Sequence, residues 1–366
     1  MEHDQIAASL RLALDREAAR HEISPGAWSR IERRIRRRAR RRAGIVALCA
    51  AVVVAAAAVT PHLWRTISGP ATSHPPPRPA PQLVIVGRAH LGPGVTNLAT
   101  GYGGVWVIGP GVVYRVDPAT AGIVATIPVS GTGKKLSDIA VGAGGVWVTG
   151  QRHGRYGVYR IDPRRGRVTS FIGLQPTPTG ITVAYGRVWV SEPKPGPGTV
   201  VRIDPRTNRV SGPPIRVGPG PAPPVPGAGA LWVTNGSGDG SVSRIDPATG
   251  VVTRTLRNIP DVDAVGAGSL WGTSNHGAVQ RVDPATGRVT ATVRLTNAVH
   301  VIFWAGSAWA SVGSPGRLVR IDPASNRIAG EAAPAGTSLS YIAADPGGLW
   351  AVVFDTGELL HLRTVS

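Results

Sequence analysis

Between residues 83 and 366 one hydrophobic pattern returns seven times. A short apolar stretch leads into a Gly-rich turn, and a second apolar stretch follows, centred on a tryptophan. The contexts read GGVWV, GGVWV, GRVWV, GALWV, GSLWG, GSAWA and GGLWA around Trp106, Trp147, Trp189, Trp232, Trp271, Trp309 and Trp350. The intervals are 41, 42, 43, 39, 38 and 41 residues. After each of the first six tryptophans comes an Arg-(Val/Ile)-Asp-Pro tetrad, ending at Pro118, Pro163, Pro205, Pro247, Pro284 and Pro323. Short alternating runs bounded by turn residues predict strands. Strand A precedes the Gly-rich turn (Ile139–Val141, for example), B holds the tryptophan, C ends in the Arg-x-Asp, and D follows the second turn, as at Val289–Val293. Four strands per repeat of about 41 residues, stacked radially, predict an all-β, seven-bladed β-propeller of four-stranded blades.

The second turn has its own chemistry. Asp can accept from the next backbone amides, and Pro presets φ for a type I turn. Four residues after the Asp stand Gly166, Asn208, Gly250, Gly287 and Asn326, residue types that tolerate a left-handed backbone. In the first repeat the Gly comes one place later, at Gly122, which predicts a turn one residue longer. The six Asp of the tetrads are therefore structural. The seventh unit ends without an Asp-Pro turn or a strand D, whereas Leu83–Gly87 has a strand D pattern and precedes the first strand A near Thr96–Ala99. Pairing that N-terminal strand with the last blade would close the ring and hide its edges.

Ahead of the repeats the period changes. Ile6, Leu10, Leu14 and Ala18 recur at helical spacing, and Ser24 with Pro25 suits the start of a second helix. Residues 1–42 thus predict an α-helical segment, with nine arginines between Arg30 and Arg42. Residues 43–60 carry no charge, and Leu63 and Trp64 extend the run to 43–64, long enough for one transmembrane helix. The arginine block places the N-terminus in the cytoplasm and the propeller outside. It serves topology and anionic lipid here, so no nucleic-acid partner is expected. An Ala-x-Ala site near Ala55–Ala58 leaves a cleaved signal peptide as the alternative. Residues 65–82 are proline-dense and predict an extended stalk.

Composition adds limits. The single cysteine, Cys49, excludes intrachain disulfides and CxxC zinc sites. With three Phe and one Met, the core must rest on Val, Ile, Ala and Trp. The formal charge is +19, of which residues 65–366 contribute +13 from 28 Lys/Arg and 15 acids. Gly142–Gly145 opens a strand, so it is no dinucleotide fingerprint, and Ser130–Lys135 lacks the first Gly and the Ser/Thr of a phosphate loop.

The repeated Trp and Asp-Pro turns of Leu83–Ser366 resemble the seven-bladed YVTN and streptogramin-lyase-like (virginiamycin B lyase-like) propellers of bacterial surface proteins. Helix 4–21 loosely resembles helical segments of actinobacterial membrane regulators. The lyase resemblance implies ring opening of a cyclic ester by elimination, with a histidine and a carboxylate-bound magnesium at the channel face. His300 stands where such a histidine would be. Those lyases repeat a Trp-x-Thr-Glu pattern, however, and this chain keeps a Glu after the Trp only at Glu192.

In a propeller the loops entering strand A and joining B to C surround one end of the channel, and they vary here while the rest repeats. Nine residues before each Trp stand Asn97, Asp138, Gly180, Pro223, Val262, His300 and Tyr341. The B–C loops add Arg152, His153, Arg155, Glu192, Lys194, Asn235, Asp239, Asn275, His276 and Asp355. The expected function is a membrane-anchored, monomeric, non-catalytic propeller without cofactor. It would bind an anionic cell-surface polymer or a protein partner at this mouth; a degenerate lyase is the alternative. A cytoplasm-dependent reporter should be active when fused at residue 2 and silent after Ser366. The opposite pattern would reverse the orientation.

Overall fold

The computed structural model describes residues 82–129, 136–236, 240–274, 277–313, 316–332 and 338–365. They belong to one compact unit, Arg78–Ser366. The expected helical segment 1–42, the span 43–64 and the stalk up to residue 81 lie outside the described residues, as do residues 130–135. Among the described residues no helix is long and apolar enough to cross a membrane.

Seven antiparallel sheets form the blades of a propeller, and the first six run in chain order from innermost strand to outermost. The second blade is representative: Leu136–Gly142, Gly145–Arg152, Arg155–Asp162 and Arg167–Gly173. In the third blade the outer strand is broken into Arg209–Val210 and Ile215–Arg216. Pro213 and Pro214 sit at the break, where proline has no amide to give the ladder.

Ring closure follows the sequence expectation. The seventh sheet is built from Leu339–Asp345, Gly348–Val353, Glu358–Val365 and, on its outer edge, the N-terminal strand Gln82–His90. That strand runs antiparallel to the C-terminal one, from Gln82 opposite Val365 to His90 opposite Glu358. Both ends of the propeller chain therefore lie on the face of the A–B and Asp-Pro turns, opposite the mouth.

Each tryptophan fills the space between its own blade and the next. Trp106 packs with Ile139, Val146 and Val148 of the second blade, Trp147 with Ile181 and Val190 of the third, and Trp350 with Val95, Val105 and Val107 of the first. Six of the indole N–H groups donate to the carbonyl five residues earlier, from Gly101 in the first blade to Trp304 in the sixth. The buried rings thus leave no donor unmet. Truncating one such Trp to Ala costs about 3–5 kcal/mol.

The arginine of the tetrad proves as important as its Asp. It is the direct cross-strand partner of the Trp, as Arg160 is of Trp147. The guanidinium carbon lies over the indole at 4.9 Å in the second blade and 5.4 Å in the fifth. Arg160 then reaches the third blade, donating to the Pro205 carbonyl at 2.7 Å and to Asn208 Oδ1 at 2.8 Å. Arg281 repeats this with Pro323 and Asn326 of the sixth blade.

The Asp side chains act as expected. Asp246 Oδ1 accepts from the amides of Ala248 and Thr249, both at 2.9 Å, and Asp283 does the same for Ala285 and Thr286. Such amide bonds hold the Asp162, Asp246 and Asp283 carboxyls below the usual range, and the Ser325 hydroxyl, then the Ala324 amide, do so for Asp322. Gly166, Asn208, Gly250, Gly287 and Asn326 all have positive φ. The first turn differs from expectation. It is not longer: Ala121 itself takes the left-handed conformation at φ 55°, and its amide bonds to the Asp117 carbonyl like its counterparts. Ala121 is buried in the core shared with the seventh blade, which offsets the strain.

Deleting residues 65–95 removes the outer strand of the seventh blade and should lower the melting temperature sharply. A chain starting at Thr96 that melts cooperatively at the same temperature would show that the closing strand contributes nothing.

Candidate functional site: the channel mouth

Strand-A residues from several blades line a cavity of about 470 Å³ at the mouth. Its polar walls are Thr182, Thr234, Asp261, Asp263, His300 and Tyr341, and Pro223, Pro224 and Pro226 form an apolar wall.

Of the residues nine places before each Trp, the structure links two pairs. Asn97 Nδ2 donates to Asp138 Oδ1 at 2.7 Å, and the His300 and Tyr341 rings lie 5.5 Å apart. Asp138 also accepts the amides of Ile139 and Ile181, both at 2.8 Å. One carboxylate so ties together the inner strands of three blades. Burial pushes its pKa up to about 7 despite the two amide bonds, which act the other way. Gly180 and Pro223 are apolar for a steric reason: a Cβ on Gly180 would stand 2.6 Å from the Pro223 Cα, so the two inner strands meet there.

His300 carries no charge at neutral pH. Burial lowers its pKa to about 4, and its Nδ1 is buried with no partner among the described residues. Tyr341 is raised by burial and then by the nearby Asp138 and Asp263 charges, so all three groups share one field.

The B–C loop residues are placed elsewhere. Arg152 and Arg155 are the last pair of a hairpin whose turn is His153 (φ 46°) and Gly154 (φ 79°), the two positive φ values that a type I′ turn requires. All three side chains are exposed, with Arg152 over the Phe171 ring. Glu192 is buried, accepts from Thr199 Oγ1 at 2.9 Å, and is raised mainly by that burial, with Lys194 opposing. Asn235 is fully buried and donates to the Ser241 and Ser243 hydroxyls. Asp355 is exposed in the last B–C turn. Asp239, Asn275 and His276 lie outside the described residues. Glu192 does not line the cavity that His300 lines, so the carboxylate–histidine pair implied by the lyase resemblance is not assembled. Among the described residues no cluster of three or more His, Cys, Asp or Glu could hold a metal.

Asp261 and Asp263 were not legible from the Trp spacing. Val262 pairs with Gly272 and Ala264 with Trp271, so Asp263 is an extra, bulged residue. The signal was Gly272, which follows Trp271 where the other repeats have Val or Ala. A Cβ there would overlap the Asp261 carbonyl. Asp263 accepts from the Val301 amide of the next blade and from Thr273. Burial first, then the Asp261 charge, raise its pKa to about 8.

Comparison with known proteins agrees on the repeat and the fold. Residues 106–193 match the family described as "Repeat of unknown function (DUF6923)". No curated protein matches the chain in sequence. Among solved structures, a chain of Kuenenia stuttgartiensis hydrazine synthase superposes with a TM-score of 0.62 at 14% identity, covering 75% of this chain and 97% of that one. This likeness is one of fold.

The buried groups give stability a pH dependence. Asp138 and Asp263 hold their protons more tightly folded than unfolded, so their contribution is complete below about pH 4 and is lost as pH rises through 7 and 8. His300 acts oppositely, but only between its unfolded value of 6.5 and about 4. Above pH 6.5 the carboxyls act alone. The melting temperature should fall from pH 6.5 to 8.5, and Asp263→Asn should flatten that slope; equal slopes in both proteins would refute the assignment.

Proposed function

We propose that the chain is a membrane-tethered, extracytoplasmic binding module whose ligand enters the cavity at the channel mouth and is not chemically changed. One observation carries the reading: a cavity of about 470 Å³ in which hydrogen-bonding side chains converge against a proline wall, with His300 Nδ1 buried and unpartnered among the described residues. At neutral pH His300 and Tyr341 are uncharged and Asp263 retains its proton. With Asp261 beside them, such walls offer donors and acceptors and suit a ligand rich in hydroxyl or amide groups that bears no negative charge. The tether and the orientation rest on the 43–64 segment and its flanking arginines.

A second reading places an anionic polymer across the rim, favoured by Arg152, His153 and Arg155 at one hairpin tip and Lys194 on the next loop. Such binding would weaken with salt over a Debye length of about 10 Å at 0.1 M. Titrating the protein with neutral oligosaccharides and with polyanions at 50 mM salt separates the two. On the cavity reading, His300→Ala and Tyr341→Phe each weaken a neutral ligand about tenfold and the Arg152/Arg155/Lys194 triple substitution does not. The reverse outcome, polyanion binding lost only in the triple variant, would move the site to the rim.

A further inference from the structure

The seventh blade departs from the repeat where the ring closes, on the face opposite the mouth. His361 is the cross-strand partner of Trp350, the position held by arginine in the other six blades. Its ring lies flat on the indole, with centroids 4.1 Å apart and planes 10° apart. An imidazole stacked in this way is too short to cross to the first blade's Asp-Pro turn, as Arg160 and Arg281 cross to the turns ahead of them. His361 is buried against the Gly347 backbone, with the Arg363 and Asp345 charges acting on its ring.

The space left by the missing side chain is open. A cavity of about 440 Å³ lies between the seventh and first blades, bounded by Asp345, Gly347, Pro118, Tyr102 and Arg363. Two of these match the groups that receive a guanidinium elsewhere. Pro118 corresponds to Pro205 and Pro323, and Gly347 corresponds to Gly144, whose carbonyl accepts from Arg160 Nη2 at 3.0 Å. Asp345 is the difference. Other blades offer the indole a backbone carbonyl at that position, whereas here the side chain accepts: Oδ2 from Trp350 Nε1 at 2.9 Å and Oδ1 from the Gly347 amide at 2.7 Å. A carboxylate, held in place by two donors, thus stands beside an arginine socket that lacks its arginine.

We propose that this seam is a second binding site, for a small zwitterion that carries both a guanidinium and a carboxylate. The guanidinium takes the place of the absent repeat arginine, against Asp345 and the Pro118 carbonyl. Arg363, exposed on the same cavity, receives the carboxylate, while Asp345 balances the added guanidinium charge. The site is independent of the channel mouth.

The test uses the full-length protein and L-arginine as probe, with citrulline as the uncharged isostere and agmatine as the guanidinium without a carboxylate. Calorimetry should show saturable L-arginine binding, at least tenfold weaker binding of agmatine, and none of citrulline. His361→Arg restores the repeat residue; it should abolish L-arginine binding and raise the melting temperature. Asp345→Asn should weaken binding at least tenfold, and His300→Ala at the mouth should leave it unchanged. Equal binding of L-arginine and citrulline, no saturable binding at all, or undiminished binding in His361→Arg would each overturn the proposal.

Discussion

The propeller depends on an indole that belongs to one blade and is buried by the next. No single blade of four short strands can cover its own apolar face, so every Trp lies in a core shared across a junction. Arginine makes the contact directional. In the first, second and fifth blades its guanidinium lies over the indole and then bonds to the neighbouring Asp-Pro turn. The Asp fixes the carbonyl that receives it, by tying down the turn with two amides. Trp, Arg and Asp-Pro are thus three parts of one joint, which explains why they recur together.

The same logic extends to the channel. Asp138 accepts from the first and third blades, and Asp263 accepts from the sixth. Polar groups that a sequence reading assigns to ligand contact serve first as ties between inner strands. What distinguishes the cavity is what those ties leave over: a histidine nitrogen without a partner, a tyrosine ring beside it, and a carboxyl that keeps its proton near neutrality.

Much of this was legible in the sequence because repetition averages away local ambiguity. Seven Trp, six Asp-Pro turns and a missing final strand specify blade number, strand order and closure. The exceptions were local and physical. Ala121 takes a left-handed backbone that its residue type disfavours, because burial against the seventh blade outweighs the strain. Asp263 enters the channel through a bulge that spacing from Trp271 cannot register. Glu192 and Asn235 look like loop polar groups, yet they are buried with hydroxyl partners at the ends of their strands. The arginine of the tetrad was visible, but its partner lies in another blade, and linear pattern carries no such information.

The strand pairing of Gln82–His90 with Glu358–Val365 also orders events in time. The first strand of the propeller to be synthesised has its only ladder partner in the last one, about 270 residues later, a contact of very high sequence separation. Six blades can form from local hairpins as the chain emerges, while their terminal edges wait. The ring becomes a closed object only when the Glu358–Val365 strand has been made. Until then the nascent propeller is an open arc with two exposed edges, and the arrival of that one strand removes them both.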